Sequence, residues 1–142
     1  MRESLRQPWV RVAVLLGILY GLVGILFALP ATHVRAWRLA AWAVSAIGYA
    51  AHIAYERFQL RTSRRSAALH VASAVALGAF TLAVGANVHS LATEATIRQR
   101  QLLLLSLAIW PFITAVPAFL VALGINAALA RAFGTPPSGG VA

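Results

Sequence analysis

Four long apolar runs, each near the length needed to cross a bilayer, constrain the fold of this chain more than any other feature. A membrane-spanning helix needs ~20 predominantly apolar residues, and four such helices use most of the 142-residue chain. We therefore predict an all-α integral membrane protein built as a single four-transmembrane-helix bundle over residues 1–133, followed by a disordered Gly- and Pro-containing tail at 134–142. The predicted spans are residues 9–29, 37–55, 67–88 and 102–129.

The first run is interpreted as a retained span rather than a cleaved signal peptide. Arg2 and Arg6 precede it, as a signal peptide would require. However, the run is longer than the ~7 to 15 residues of a typical signal-peptide core, and Pro30 lies where cleavage would fall. We expect this run to remain in the protein as its first helix.

The arginines predict the orientation of the chain. The net charge is +9, and all twelve basic residues are arginines that lie almost entirely between the apolar runs. If every run crosses the membrane, eight arginines lie on one side and four on the other; the richer side is normally cytoplasmic. This places both termini in the cytoplasm (N-in/C-in), and we assign the chain to a bacterial inner membrane. The larger group is Arg2, Arg6, Arg11, Arg57, Arg61, Arg64, Arg65 and Arg131, and the smaller group is Arg35, Arg38, Arg98 and Arg100.

Composition argues against several classes of activity. With 61% apolar residues and a mean hydropathy of +0.79, a soluble domain is not expected. The chain has no Cys, Asp or Lys, so thiol redox chemistry, aspartate proteolysis and Schiff-base chemistry lack their residues. No serine has a Gly-flanked nucleophile motif, so we expect no enzyme. No basic face with interleaved aromatic residues exists, so no nucleic-acid partner is expected.

Two histidines and a glutamate form the first candidate site. His52 and Glu56 are four residues apart at the end of the second run, and His70 lies about one turn into the third run from the same side. If the two helices are neighbours, these side chains lie at matched depth. Paired imidazoles at one depth can ligate a b-type haem through His52 and His70, and with Glu56 they can hold a divalent transition metal. The alternative is that they only hydrogen-bond neighbouring groups.

Glycines in the first run predict close helix packing. Gly17 and Gly21 form a GxxxG pair, and Gly24 extends the same face. Small residues let two helix backbones approach where no hydrophobic effect drives association. We expect this face to pack within the chain in preference to forming a dimer.

The fourth run contains the second candidate site. Two prolines within it predict a kink or a loosened turn, beside which a small molecule or a lipid could pass. No acid lies in the middle of any span, so an ion-driven exporter is disfavoured. The residues of this candidate conduit are Trp110, Pro111, Thr114, Pro117 and Asn126.

These observations give one main functional hypothesis and two alternatives. The main hypothesis is a structural or accessory component of a homo-oligomer or a larger membrane complex, with the lipid bilayer around it and no cofactor. The first alternative is a haem or metal subunit that uses His52, His70 and Glu56. The second is a conduit beside the fourth helix.

Overall fold

Four α-helices form the described part of the chain, which in this computed structural model comprises residues 8–28, 32–92 and 96–133. No strand occurs among these residues. The predicted tail at 134–142 lies outside them. The helices are α1 (Pro8–Ala28), α2 (Val34–Phe58), α3 (Arg64–Leu91) and α4 (Ile97–Phe133).

Local sequence explains where two of the helices begin. Ser63 precedes α3, and its hydroxyl accepts a hydrogen bond from the Ser66 backbone N–H at 3.2 Å. Thr96 and Gln99 form a reciprocal capping box before α4: Gln99 N–H donates to the Thr96 hydroxyl at 3.3 Å, and Thr96 N–H donates to Gln99 Oε1 at 2.9 Å. Such caps satisfy backbone donors that the first helical turn leaves free.

Helix α1 packs tightly along α3, and the two helices run in the same direction. Gly17 lies against Leu77 and Gly21 lies against Thr81, so close that a Cβ atom on either glycine would come within 2.6 Å of the neighbouring side chain. The GxxxG face of α1 is therefore used inside the chain, as the sequence predicted, and no longer argues for a dimer.

Helix α4 packs antiparallel on the other side of α3. Near one end of the pair, Asn87 donates to the Leu103 carbonyl at 2.8 Å. Near the other end, Ala68 and Val71 of α3 meet Ala122 of α4 in a fully buried apolar core. Helix α3 thus lies at the centre of the protein.

Helix α2 runs in the opposite direction to α1 and α3, from the C-terminal end of α1 to the N-terminal end of α3. It is the least closely packed of the four helices. Phe27 and Trp37 meet edge to face at one end, with ring centroids 5.6 Å apart. At the other end Glu56 reaches His70 of α3. Its principal link to α4 is the hydrogen bond that the Tyr49 hydroxyl donates to the Ala118 carbonyl.

Three of these helices, α1, α3 and α4, are long and apolar enough to cross a membrane. Many large apolar side chains of α4 are exposed, among them Leu104, Phe112 and Leu120. A surface of this kind is suited to lipid rather than water. The chain is therefore compatible with a multi-pass membrane protein.

The helices extend beyond the predicted spans. Helix α4 begins at Ile97 rather than near residue 102, continues through Pro111 and Pro117, and ends at Phe133. The link between α2 and α3 shrinks to residues 59–63, so Arg57, predicted to lie in a loop, is a buried helical residue. Hydropathy identifies the apolar part of a helix, whereas polar residues at the ends continue the same hydrogen-bonded backbone.

Candidate functional site

The structure brings the predicted histidines and glutamate together where α1, α2 and α3 meet. We call this group, Trp9, His52, Glu56, Thr62 and His70, the His–Glu cluster. Oε2 of Glu56 lies 3.0 Å from His70 Nδ1 and accepts a 2.9 Å hydrogen bond from the Thr62 hydroxyl. His52 Nε2 lies 3.7 Å from Glu56 Oε1. The structure thus brings His52, Glu56 and His70 within reach of one another, as the sequence predicted.

Backbone geometry positions the remaining members. Arg61 adopts a left-handed conformation with φ of 48° just after α2. This turn brings Thr62 back over the helix end, where its N–H donates to the Glu56 carbonyl at 3.4 Å. From α1, the Trp9 ring stacks on the His70 imidazole with centroids 4.1 Å apart and planes 5° from parallel.

The cluster is deeply buried for so polar a group. Glu56 is 0% exposed and His52 is 1% exposed. Neither ring nitrogen of His52, nor Oε1 of Glu56, has a hydrogen-bond partner among the described residues. A buried carboxylate is tolerated only when it is paired, and here His70 and Thr62 supply the direct partners. The arrangement joins three helices and can hold a proton between the carboxylate and an imidazole.

The donor pattern fits a hydrogen-bonded network better than a metal site. No group of three or more His, Cys, Asp or Glu side chains is arranged to hold a metal ion within residues 8–28, 32–92 and 96–133. The Glu56 carboxylate contacts both imidazoles, and Trp9 covers one face of the His70 ring. Ligation of haem or a metal by His52, His70 and Glu56 stays a prediction.

A second feature, the interhelical cavity, lies among all four helices. Its volume is about 600 Å³, within the range of ~300–1,000 Å³ typical of small-molecule sites. Its wall is mostly apolar, and no Asp, Glu, Lys, Arg or His from residues 8–28, 32–92 and 96–133 contributes to it. Its apolar wall residues include Val23, Ala41, Val75, Leu82 and Val121.

We infer that the mouth of the cavity lies between α2 and α4. Trp42 of α2 and Trp110 of α4 line the cavity and are 77% and 49% exposed. These two helices contact one another far less than α3 contacts α4. If the surrounding medium is a bilayer, the cavity opens sideways toward lipid.

Four hydroxyl groups interrupt the apolar lining. Tyr49 donates to the Ala118 carbonyl, and Thr114 donates to the Trp110 carbonyl at 3.0 Å. The Tyr20 hydroxyl is buried without a hydrogen-bond partner among the described residues. Ser45 likewise makes no hydrogen bond within the described part of the chain.

The structure divides the residues predicted for the conduit. Trp110 and Thr114 line the interhelical cavity. Pro111 and Pro117 lie within α4 but do not line the cavity. Asn126 is 2% exposed and donates to the Ala122 carbonyl of its own helix at 2.9 Å, away from the cavity wall.

Sequence reasoning missed the residues that depend on helix rotation. Nothing in the sequence singles out Tyr20 or Ser45, because Ala-rich helices give little indication of which side faces inward. Trp9 has one available signal, its position beside the arginine-rich end of α1. Thr62 has none, since the turn that returns it to Glu56 depends on the positive φ of Arg61.

Comparison with known proteins finds no matching family model, no matching curated protein and no matching solved structure.

Proposed function

We propose that this chain is a polytopic membrane protein, without enzymatic activity, that binds a lipid-like apolar molecule in the interhelical cavity. The observation that carries the proposal is the cavity itself, about 600 Å³ with an almost wholly apolar wall. Apolar concave sites with a few polar groups are the usual form of a small-molecule site. The opening between Trp42 and Trp110 gives such a molecule a lateral path from the bilayer.

The proposal includes α2 as a fourth membrane span. Helices α1 and α3 run in the same direction, so the chain must return between them. If both cross the bilayer, α2 crosses it in the opposite direction. The stretch between Arg38 and Glu56 has 17 residues, the lower end of the ~17–25 residues of membrane spans, and the charged residues at its two ends can reach the interfaces.

The proposed setting is a bacterial inner membrane with both termini in the cytoplasm. The arginine distribution supports this orientation, and it places the His–Glu cluster at the cytoplasmic end of the protein. The cavity mouth then lies nearer the other face of the membrane.

A structural or accessory role in a membrane oligomer or complex stays a prediction. The small-residue face of α1 does not support this role, because α3 occupies that face. Crosslinking in native membranes tests it, and recovery of monomer alone would count against it.

The cavity proposal is tested by blocking the cavity. Ala46 and Ala43 are exposed residues of α2, but only Ala46 lines the cavity. We expect Ala46→Phe to abolish saturable binding of tritiated methyl stearate to the detergent-solubilised protein, whereas the matched control Ala43→Phe retains it. Saturable binding that Ala46→Phe leaves unchanged would place the ligand elsewhere and overturn the proposal.

A further inference from the structure

We infer that the ligand of the interhelical cavity is a neutral lipid-like molecule whose head carries a carbonyl-type hydrogen-bond acceptor. This inference rests on the proposed function, because it specifies the ligand of the same cavity. It depends on two hydroxyl groups in the wall and on the absence of charge there.

The first hydroxyl is that of Tyr20. This side chain crosses from α1 toward α2 at Gly48, where a Cβ atom would lie 3.3 Å from Tyr20 Cε1 and 3.7 Å from its hydroxyl oxygen. The neighbouring Tyr49 hydroxyl already donates to the Ala118 carbonyl, and Tyr20 has no partner among the described residues. A buried hydroxyl without a hydrogen-bond partner is unfavourable. A small movement of the Tyr20 ring toward an acceptor on the ligand would form this hydrogen bond and stabilise the complex.

The second hydroxyl is that of Ser45, which behaves differently from other hydroxyls in these helices. Ser73, Thr81, Ser106 and Thr114 each donate to a carbonyl of their own helix. Ser45 makes no such bond, although a helical serine can readily do so. Ser45 lines the cavity, so we expect its hydroxyl to be available to donate to a ligand.

The lack of charged side chains among the described wall residues favours a ligand with an uncharged head. Among the described residues that line the cavity, none carries an ionisable acid or base other than the two tyrosines. Placing a carboxylate or phosphate there would leave its charge unpaired, which is far more costly than burying a carbonyl. Arg38 lines an adjoining cavity of about 160 Å³ that shares Gly24 and Ala41 with the larger one.

Competition binding tests this ligand class. Octadecane, methyl stearate and stearate have comparable chains and differ in the head: none, a neutral carbonyl, or a carboxylate. Each is used to displace tritiated methyl stearate from the solubilised full chain. We expect methyl stearate to compete best. Tyr20→Phe and Ser45→Ala should each reduce its preference over octadecane by about 3- to 10-fold, the worth of one hydrogen bond.

Matched variants control for general effects on the helices. Tyr55→Phe and Ser73→Ala remove hydroxyls that do not line the cavity, and both should preserve the preference for the ester. An ester preference that survives both Tyr20→Phe and Ser45→Ala would overturn the inference. So would strongest competition by stearate that is lost in Arg38→Gln, since Arg38 would then recognise the head.

The outcomes separate this inference from the proposed function. Saturable binding that Ala46→Phe blocks, but that shows no dependence on Tyr20 or Ser45, contradicts only the inference. Binding that Ala46→Phe does not affect contradicts both.

Discussion

Glu56 carries the only carboxylate among the described residues, and its surroundings determine how the ends of α1, α2 and α3 are joined. The side chain is 0% exposed, with His70 at 3.0 Å and Thr62 at 2.9 Å. A polar network at the end of three helices fixes their relative positions in a way that Ala-rich packing alone does not.

Removing this carboxylate should destabilise the protein. We expect Glu56→Ala to lower the free energy of unfolding by about 1 to 3 kcal/mol, because His70 and Thr62 lose their buried hydrogen-bond partner. Thr62→Val removes one hydrogen bond to the same carboxylate and should cost only about 0.5 to 1.5 kcal/mol. Unfolding of both variants in mixed micelles measures the difference. Equal stability of Glu56→Ala and the unmodified chain would show that the His–Glu cluster does not hold the helices together.

Glycine positions offer a second test with an internal control. A Cβ on Gly78 would lie 2.6 Å from Tyr20 Cβ and 3.2 Å from the Gly17 carbonyl oxygen, so neither neighbour can rotate away. We expect Gly78→Ala to destabilise the protein by about 1 to 3 kcal/mol through overpacking. Gly124 has nothing within 4 Å of the same position, and Gly124→Ala should leave stability unchanged or raise it by up to about 1 kcal/mol. The same unfolding assay compares them. A neutral Gly78→Ala would mean that α1 and α3 are not in close contact.

At the scale of the elements, α2 is the helix whose relation to the membrane most needs a test. It is absent from the helices that are apolar enough to cross by composition alone. Its directional relation to α1 and α3 nevertheless requires it to return across any bilayer that they both span.

Cysteine accessibility tests this crossing directly, because the chain contains no cysteine. Thr32 and Gln59 are exposed residues just before and just after α2. We expect a membrane-impermeant maleimide to label Gln59→Cys only from the cytoplasmic side and Thr32→Cys only from the opposite side. Ala92→Cys, after α3, should match Thr32→Cys. Labelling of positions 32 and 59 from the same side would show that α2 does not cross.

The helices also show how much of the fold and of the candidate sites the sequence predicts. Apolar runs predicted the number and order of the helices, because burial of backbone groups in lipid requires long helices. The helices are longer than the predicted spans where polar residues continue a helix, as Arg98 and Gln99 do at the start of α4. The sequence predicted that His52, Glu56 and His70 lie close together, because they stand at the same end of the second and third apolar runs. The interhelical cavity was not predictable, because it depends on how α2 is rotated and how far it stands from α4.

At the scale of the whole molecule, α3 contacts all three other helices, whereas α2 makes few contacts with α4. Helix α3 packs closely with α1 and α4, and Gly17, Gly21 and Gly78 permit the close approach of α1 and α3. Helix α2 is held at the His–Glu cluster, by Tyr49, and by contacts with α1. Its separation from α4 creates the cavity and its lateral mouth.

The organic extract of the purified protein tests the central claim most directly. The protein and its Ala46→Phe and Ala43→Phe variants are purified in parallel from native membranes, and their extracts are quantified by mass spectrometry. We expect about one neutral lipid-like molecule per chain with the unmodified protein and Ala43→Phe, and its loss with Ala46→Phe. Extracts with identical lipid content from all three proteins, differing in no single species, would contradict the assignment of the interhelical cavity as a ligand site.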